Sequence, residues 1–194
     1  MLQTLKPLAD AIWTYDGETV SFHGMPYTTR MTIVRLETGE IWVHSPSILT
    51  SELVHTINQI GPVTYLVSPN KIHHLYLQDW VSAFPEALLY ASPGLSNKRR
   101  DLNFDHELTN SVDGAWSADL HQVVFTGSKM MEEVVFFHKA SQTLILTDLI
   151  ENFPTDHFRG LQKCVAGCAG ILAPHGKTPL DWRLTFYMGG KAKA

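Results

Sequence analysis

Residues Val63–Phe84 read VTYLVSPNKIHHLYLQDWVSAF: an apolar run, a short loop opened by Ser68-Pro69-Asn70, then apolar residues at helical spacing. Leu77, Trp80, Val81 and Phe84 recur at i, i+3, i+4 and i+7, which predicts a buried strand feeding a helix over His73–Phe84. His73 lies four residues before Leu77, and His74 three before it and seven before Val81, so both imidazoles are expected to open the inward face. The positive end of the helix dipole disfavours imidazolium there. The neutral ring is the form that binds a metal. A pair of partly buried histidines hydrogen-bonded to backbone or to a carboxylate is the other outcome the pattern allows.

Outward from this stretch, strand-like runs occur at Ile12–Tyr15, Met31–Leu36, Ile41–His44, Val63–Ser68, Ala87–Ala91, Gln122–Thr126, Glu133–His138, Thr143–Asp148 and Arg183–Tyr187. A second helix is expected over Thr50–Ile60, capped by Thr50 or Ser51, with Leu53, Ile57 and Ile60 as its apolar stripe. A third is expected from Thr155 to about Leu172, after Pro154. Strands and helices in this order indicate a layered α/β fold, with TLILT read as a strand buried on both faces.

The segment EVVFFH-KASQ-TLILTD reads as a hairpin with a four-residue loop. If His138 faces Thr143, then Phe137 faces Leu144, Val135 faces Leu146 and Glu133 faces Asp148. Opposed residues have Cβ atoms about 5 Å apart, and two carboxylates at that distance repel by about 3 kcal/mol at an effective dielectric of 20. A cation, a shared proton or a histidine relieves such a pair. A one-residue slip or solvent screening would remove the problem instead. On this register His138 lies near the loop, far from Asp148.

The chain has 194 residues and a net charge of −4, enough for one domain over residues 1–194 and too acidic for nucleic acid to be its main partner. The basic cluster Lys98-Arg99-Arg100 runs straight into Asp101 and reads as a solvated loop. No secretion signal or membrane-length apolar run is seen, so a cytoplasmic location and no membrane partner are expected. Cys164 and Cys168 share a helical face with Val165, Ala166 and Ala169 and are expected to be buried thiols.

These segments together resemble the metallo-β-lactamase-like superfamily. There, a buried strand runs into a Thr-His-x-His-x-Asp-His loop that opens a helix; a Gly-His-Thr segment, a hairpin ending in a ligand aspartate and a late histidine follow. Here Ser68 stands for the threonine, Pro69 and Lys71 for the first two histidines, His73 for the aspartate and His74 for the last histidine. Ser128, in Gly127-Ser128-Lys129, takes the middle histidine's place, Asp148 matches the bridging aspartate, and His44 in WVHSP sits where that superfamily has an aspartate that supports the metal ligands from behind. The stretches WVHSPSILT, SPNKIHHLYL, EVVFFHKASQTLILTD and TPLDWRLTF further resemble an uncharacterised, domain-of-unknown-function branch. The resemblance implies an αββα sandwich of two mixed sheets, lacking the last C-terminal helix and strand. His175 only superficially copies the late ligand.

Two functions follow as expectations. One is a metal-dependent hydrolase with at most a mononuclear zinc or iron site, held by His74 and Asp148 and completed by His73, His44 or Glu133. In it, Glu133 serves as general base on an unknown small-molecule substrate. The other is a non-catalytic domain in which His73, His74, Glu133 and Asp148 form a closed network without metal and bind a small ligand or a protein partner. A homo-oligomer stays open in either case.

Overall fold

The computed structural model describes residues 5–112, 114–128 and 130–188. Lys129 and Lys193-Ala194 lie outside them. Within the described residues, β1 (Lys6–Ala9), β2 (Ile12–Phe22), β3 (Met25–Arg35), β4 (Ile41–His44), β5 (Val63–Val67), β6 (Leu88–Ala91) and β7 (His106–Glu107) lie side by side in chain order in one sheet. Pairing is antiparallel from β1 to β4 and parallel from β4 to β7. A second sheet, β10-β9-β8, is built from β8 (Leu120–Phe125), β9 (Glu133–His138) and β10 (Thr143–Ile145). It is antiparallel throughout, so one sheet is mixed and the other is not, where two mixed sheets were expected.

Strands β4 and β5 form the spine because both of their faces are covered. Ile41, Val43 and Leu66 point to a layer closed by α1 (Ser51–Ile60), α2 (Leu77–Ala83) and the short α3 (Leu95–Lys98) through Leu53, Ile57, Leu77, Trp80 and Leu95. Trp42, Tyr65 and Val67 point the other way, against Trp116, Val134 and Phe136 of the second sheet's side. The Trp42 ring lies 4.8 Å from Phe136 and 6.3 Å from Trp116, both edge-on, the arrangement aromatic quadrupoles prefer.

Helix α1 starts where Thr50 Oγ1 accepts the Leu53 amide at 3.1 Å. This satisfies one of the orphan donors of the first turn. Thr50→Ala should therefore lose about 1 kcal/mol, or roughly 2–4 °C in Tm. An unchanged melting curve would show that the cap contributes nothing.

Several expected boundaries moved. β2 and β3 extend into a long hairpin closed by His23 and Gly24, at φ 48° and 77°. Positive φ at both turn positions fits the right-handed twist of paired strands, so the polar stretch between them stays in the sheet. TLILT is not buried on both faces: β10 stops at Ile145 and leaves Leu144 exposed.

Residues Arg183–Tyr187, expected as a strand, lie in α5 (Leu180–Met188). Trp182 and Thr185 are its buried residues, an i, i+3 spacing that the alternating pattern of TPLDWRLTF disguised. Helix α4 (Gly160–Ala169) buries Ala166 and leaves Cys164 and Cys168 exposed rather than packed. Among the described residues no helix is long and apolar enough to cross a membrane.

Candidate functional site

Strands β4 and β5 run parallel, His44 beside Val67, so their carboxyl ends open side by side. This is where open α/β sheets place ligands. After β5 the chain does not enter a helix at His73. Ser68 Oγ donates to the carbonyls of Asn70 (3.1 Å) and His73 (2.6 Å), while Asn70 Oδ1 accepts the amides of Ile72 (3.0 Å) and His73 (3.2 Å). These side chains offer the backbone partners that compete with a helix, so α2 begins only at Leu77. The loop is pinned to the second sheet by the Val134 amide, which donates to the Pro69 carbonyl at 2.8 Å.

The hairpin pairs as its sequence predicts, His138 with Thr143 and Phe137 with Leu144. It ends before Glu133 and Asp148 can face each other as a strand pair. Instead the chain turns over Glu133, whose carboxylate is fully buried and accepts from the amides of Thr147 (2.8 Å), Asp148 (2.8 Å) and Leu149 (3.2 Å) and from the Thr147 hydroxyl (2.7 Å). Burial and the Asp148 charge push the Glu133 carboxyl up, against the pull of the Thr147 and Asn70 donors.

Asn70, also fully buried, joins the two halves. Its Nδ2 lies 3.1 Å from Glu133 Oε2, 3.1 Å from Thr147 Oγ1 and 2.7 Å from Asp148 Oδ2. One amide group thus sits among three oxygens at the point where the sequence demanded relief of carboxylate repulsion.

The imidazole that meets Asp148 belongs to His73, with Nε2 3.1 Å from Oδ2. Its Nδ1 lies 2.5 Å from Ser45 Oγ. Burial opposes charge on the ring, but the Asp148 carboxylate beside it, with Glu133 behind, lifts His73 above the usual histidine range. Burial likewise opposes charge on Asp148, and His73 with Asn70 holds its carboxyl below the usual value.

His74 is placed elsewhere. Its Nδ1 is 3.0 Å from Arg99 Nη1, which also donates to the His74 carbonyl at 2.8 Å. Burial, together with the neighbouring Lys98 and Arg99, brings His74 down to about 4. His44 is buried, stacked on Trp42 at 5.4 Å and edge-on to Phe136 at 5.5 Å. Burial and the neighbouring His73 hold it near 3, and its Nε2 has no hydrogen-bond partner among the described residues.

The remaining motif positions are structural. Ser128 Oγ pairs with Thr185 Oγ1 at 2.6 Å and accepts the Met130 and Met131 amides, so the middle motif position ties a turn to α5. His138 pairs with Ser141 at 2.6 Å, beside the loop, and His175 is exposed.

A zinc or iron ion with three protein ligands does not fit this set of residues. Glu133 and Asp148 already accept hydrogen bonds from the donors above, His74 turns to Arg99, and His44 faces aromatic rings. Among the described residues no group of three or more His, Cys, Asp or Glu side chains is arranged to hold a metal ion.

Residue-by-residue reading of the sequence missed Asn70, Thr147 and Ser45. Asn70 had a visible signal, an Asn after Pro in a strand-to-helix loop, where side-chain-to-backbone turns form. Ser45, directly after a buried strand and before Pro46, had a weaker one.

No curated protein matches the chain. Among solved structures it is similar to a metallo-beta-lactamase from Pontibacter korlensis, at 16% identity and TM-score 0.59 over 77% of this chain and 73% of that one. It is similar to a metallo beta lactamase from Hirschia baltica at 12% and TM-score 0.60, over 96% and 97% of the two chains. It is similar to DIM-1 metallo-beta-lactamase at 12% and 0.62, over 96% of each. Such identities establish a shared fold and nothing about chemistry. The profile of the family described as a domain of unknown function (DUF4336) matches residues 9–163. The chain has the metallo-β-lactamase-like fold and belongs to the DUF4336 family.

Proposed function

We propose that this domain works without a resident metal ion, binding a small molecule at the carboxyl ends of β4 and β5 where His73 and Asp148 reach solvent. Ser68-Pro69-Asn70-Lys71-Ile72-His73-His74 then stands where the superfamily has its metal-binding motif, with the donors exchanged for groups that lock one another. The observation that carries this reading is Asn70 Nδ2, held 2.7–3.1 Å from Asp148, Glu133 and Thr147 oxygens. An amide donor there answers the carboxylate repulsion that a cation answers in a metal site. His73 completes the network by presenting Nε2 to Asp148 Oδ2 at 3.1 Å. The metal-dependent hydrolase has less support, because it needs Glu133 and Asp148 to leave donors they already engage.

Metal analysis of the purified protein tests the proposal. Zinc and iron are expected well below about one equivalent, the content of a mononuclear site, and a chelator should leave Tm unchanged. About one tightly held equivalent, lost in both His73→Ala and Asp148→Ala, would overturn the metal-free reading and restore the hydrolase one.

A further inference from the structure

Ser45 is the first residue beyond β4 and has a left-handed backbone, φ 55°, unusual for a residue with a side chain. Its amide is held by the Val67 carbonyl at 2.8 Å, so the strained position is fixed by the neighbouring parallel strand. From this turn its hydroxyl reaches 2.5 Å from His73 Nδ1, and the other ring nitrogen lies 3.1 Å from Asp148 Oδ2. Hydroxyl, imidazole and carboxylate stand in line, each within hydrogen-bond reach of the next. Asp148 is fixed by the Asn70 donor at 2.7 Å and by its own amide on Glu133, and the His73 backbone by Ser68 and Asn70.

The geometry points to a metal-independent acyl-transfer site in which Ser45 is the nucleophile, His73 its base and Asp148 the carboxylate that orients the ring. This deepens the metal-free reading above and rests on it. With Asp148 accepting the Nε2 hydrogen, Nδ1 carries the lone pair that takes the Ser45 hydroxyl proton. A serine is activated in the same way wherever base and orienting acid are so arranged, whatever the chain order. Here Ser45 meets Nδ1 and the acid Nε2; the ring's two nitrogens serve either role.

In the reaction, Ser45 Oγ bonds to the carbonyl carbon of an ester as its proton passes to His73 Nδ1 and the carbonyl electron pair moves to oxygen. Collapse of that adduct breaks the bond to the alcohol oxygen, which leaves with the proton from His73. Water then attacks the acyl-serine, giving its proton to His73, and Ser45 departs reprotonated. Ester and water become acid and alcohol, and no other reactant is consumed.

Access and charge narrow the substrate. The side chains of His73 and Asp148 keep 22% and 18% of their surface, and Ser45 keeps 6%, so the line is shielded but not sealed. Burial, with the Asp148 and Asp181 carboxylates nearby, pushes Glu151 up to about 8, so the negative charge at this end is carried by Asp148 and Asp181. Phosphodiesters and carboxylate-bearing lactams are repelled there. Uncharged, short acyl esters are the class that fits.

The test uses the full chain with a fluorophosphonate probe and with p-nitrophenyl acetate, read by intact mass, peptide mapping and burst kinetics. A single adduct on Ser45 is expected, unaffected by chelator, with a p-nitrophenol burst that matches the labelled fraction. Ser45→Gly, whose backbone suits φ 55° and so preserves the fold, should lose both signals. His73→Gln should slow labelling by about 100-fold or more while circular dichroism stays native. Folded, metal-free protein that takes no label on Ser45, or labels equally fast as Ser45→Gly, would overturn the acyl-transfer site and leave the metal-free reading standing. Labelling that disappears with chelator would overturn both.

Discussion

Asn70→Asp is expected to make the fold depend on a divalent cation. In chelated buffer the substitution places a third carboxylate 2.7 Å from Asp148 Oδ2 and 3.1 Å from Glu133 Oε2, where an amide now donates to both. Two unit charges about 4 Å apart repel by roughly 4 kcal/mol at an effective dielectric of 20. Partial protonation of the cluster offsets some of this, leaving an expected loss of about 3 kcal/mol, or roughly 6–12 °C in Tm for a chain of this size. Zinc at about 100 times its dissociation constant should return some 2.7 kcal/mol. The three acids and His73 would supply the donors the parent chain keeps occupied. Asn70→Ala, which removes the donor without adding charge, should be destabilised yet indifferent to zinc. Urea unfolding with and without the ion measures all three proteins. Equal zinc stabilisation of the parent, or an Asn70→Asp protein as stable as the parent in chelator, would mean that Asn70 does not stand in for a cation.

Glu133→Ala should be the most damaging single truncation, at roughly 3–5 kcal/mol, the range for removing one partner from a buried charged network. Its carboxylate is the acceptor for the amides of Thr147, Asp148 and Leu149, the Thr147 hydroxyl and Asn70 Nδ2. Truncation leaves those donors buried without partners, and each stranded group costs about 1–3 kcal/mol unless water reaches it. The urea midpoint should fall with an unchanged m-value, since the surface exposed on unfolding hardly differs. A loss below about 1 kcal/mol would show that solvent already serves this turn. The general-base role expected for Glu133 from sequence has less support, because its carboxylate is buried and accepts from these backbone and side-chain donors.

Much of the scaffold was legible because its signals are local and periodic. VTYLV, IWVH and the stripe of Leu53 and Ile57 carry their burial in their spacing, and the hairpin register followed from loop length and alternation. Failures came where two periods compete or where side chains rewrite the backbone. WRLTF alternates like a strand but packs as a helix, and Asn70 and Ser68 hold their loop out of helix until Leu77. The long β2–β3 hairpin was hidden by its polar middle, where Asp16 faces Arg30 and Thr19 faces Thr28, so no apolar alternation runs through it.

The site divides along the same line. Sequence by itself determined the layered α/β fold, the need to relieve acids near the end of the hairpin, and the presence of a histidine pair after β5. Only the tertiary structure decided that His73 rather than His74 meets Asp148, that an asparagine takes the central place, and that Ser45, just after β4, completes the line. The physical reason is range. Periodicity and turn chemistry act over a few residues, whereas Ser45, Asn70, His73, Glu133 and Asp148 come together only after two sheets have packed. Which imidazole nitrogen or amide hydrogen then faces an acid is settled by ångström-scale packing that no spacing encodes.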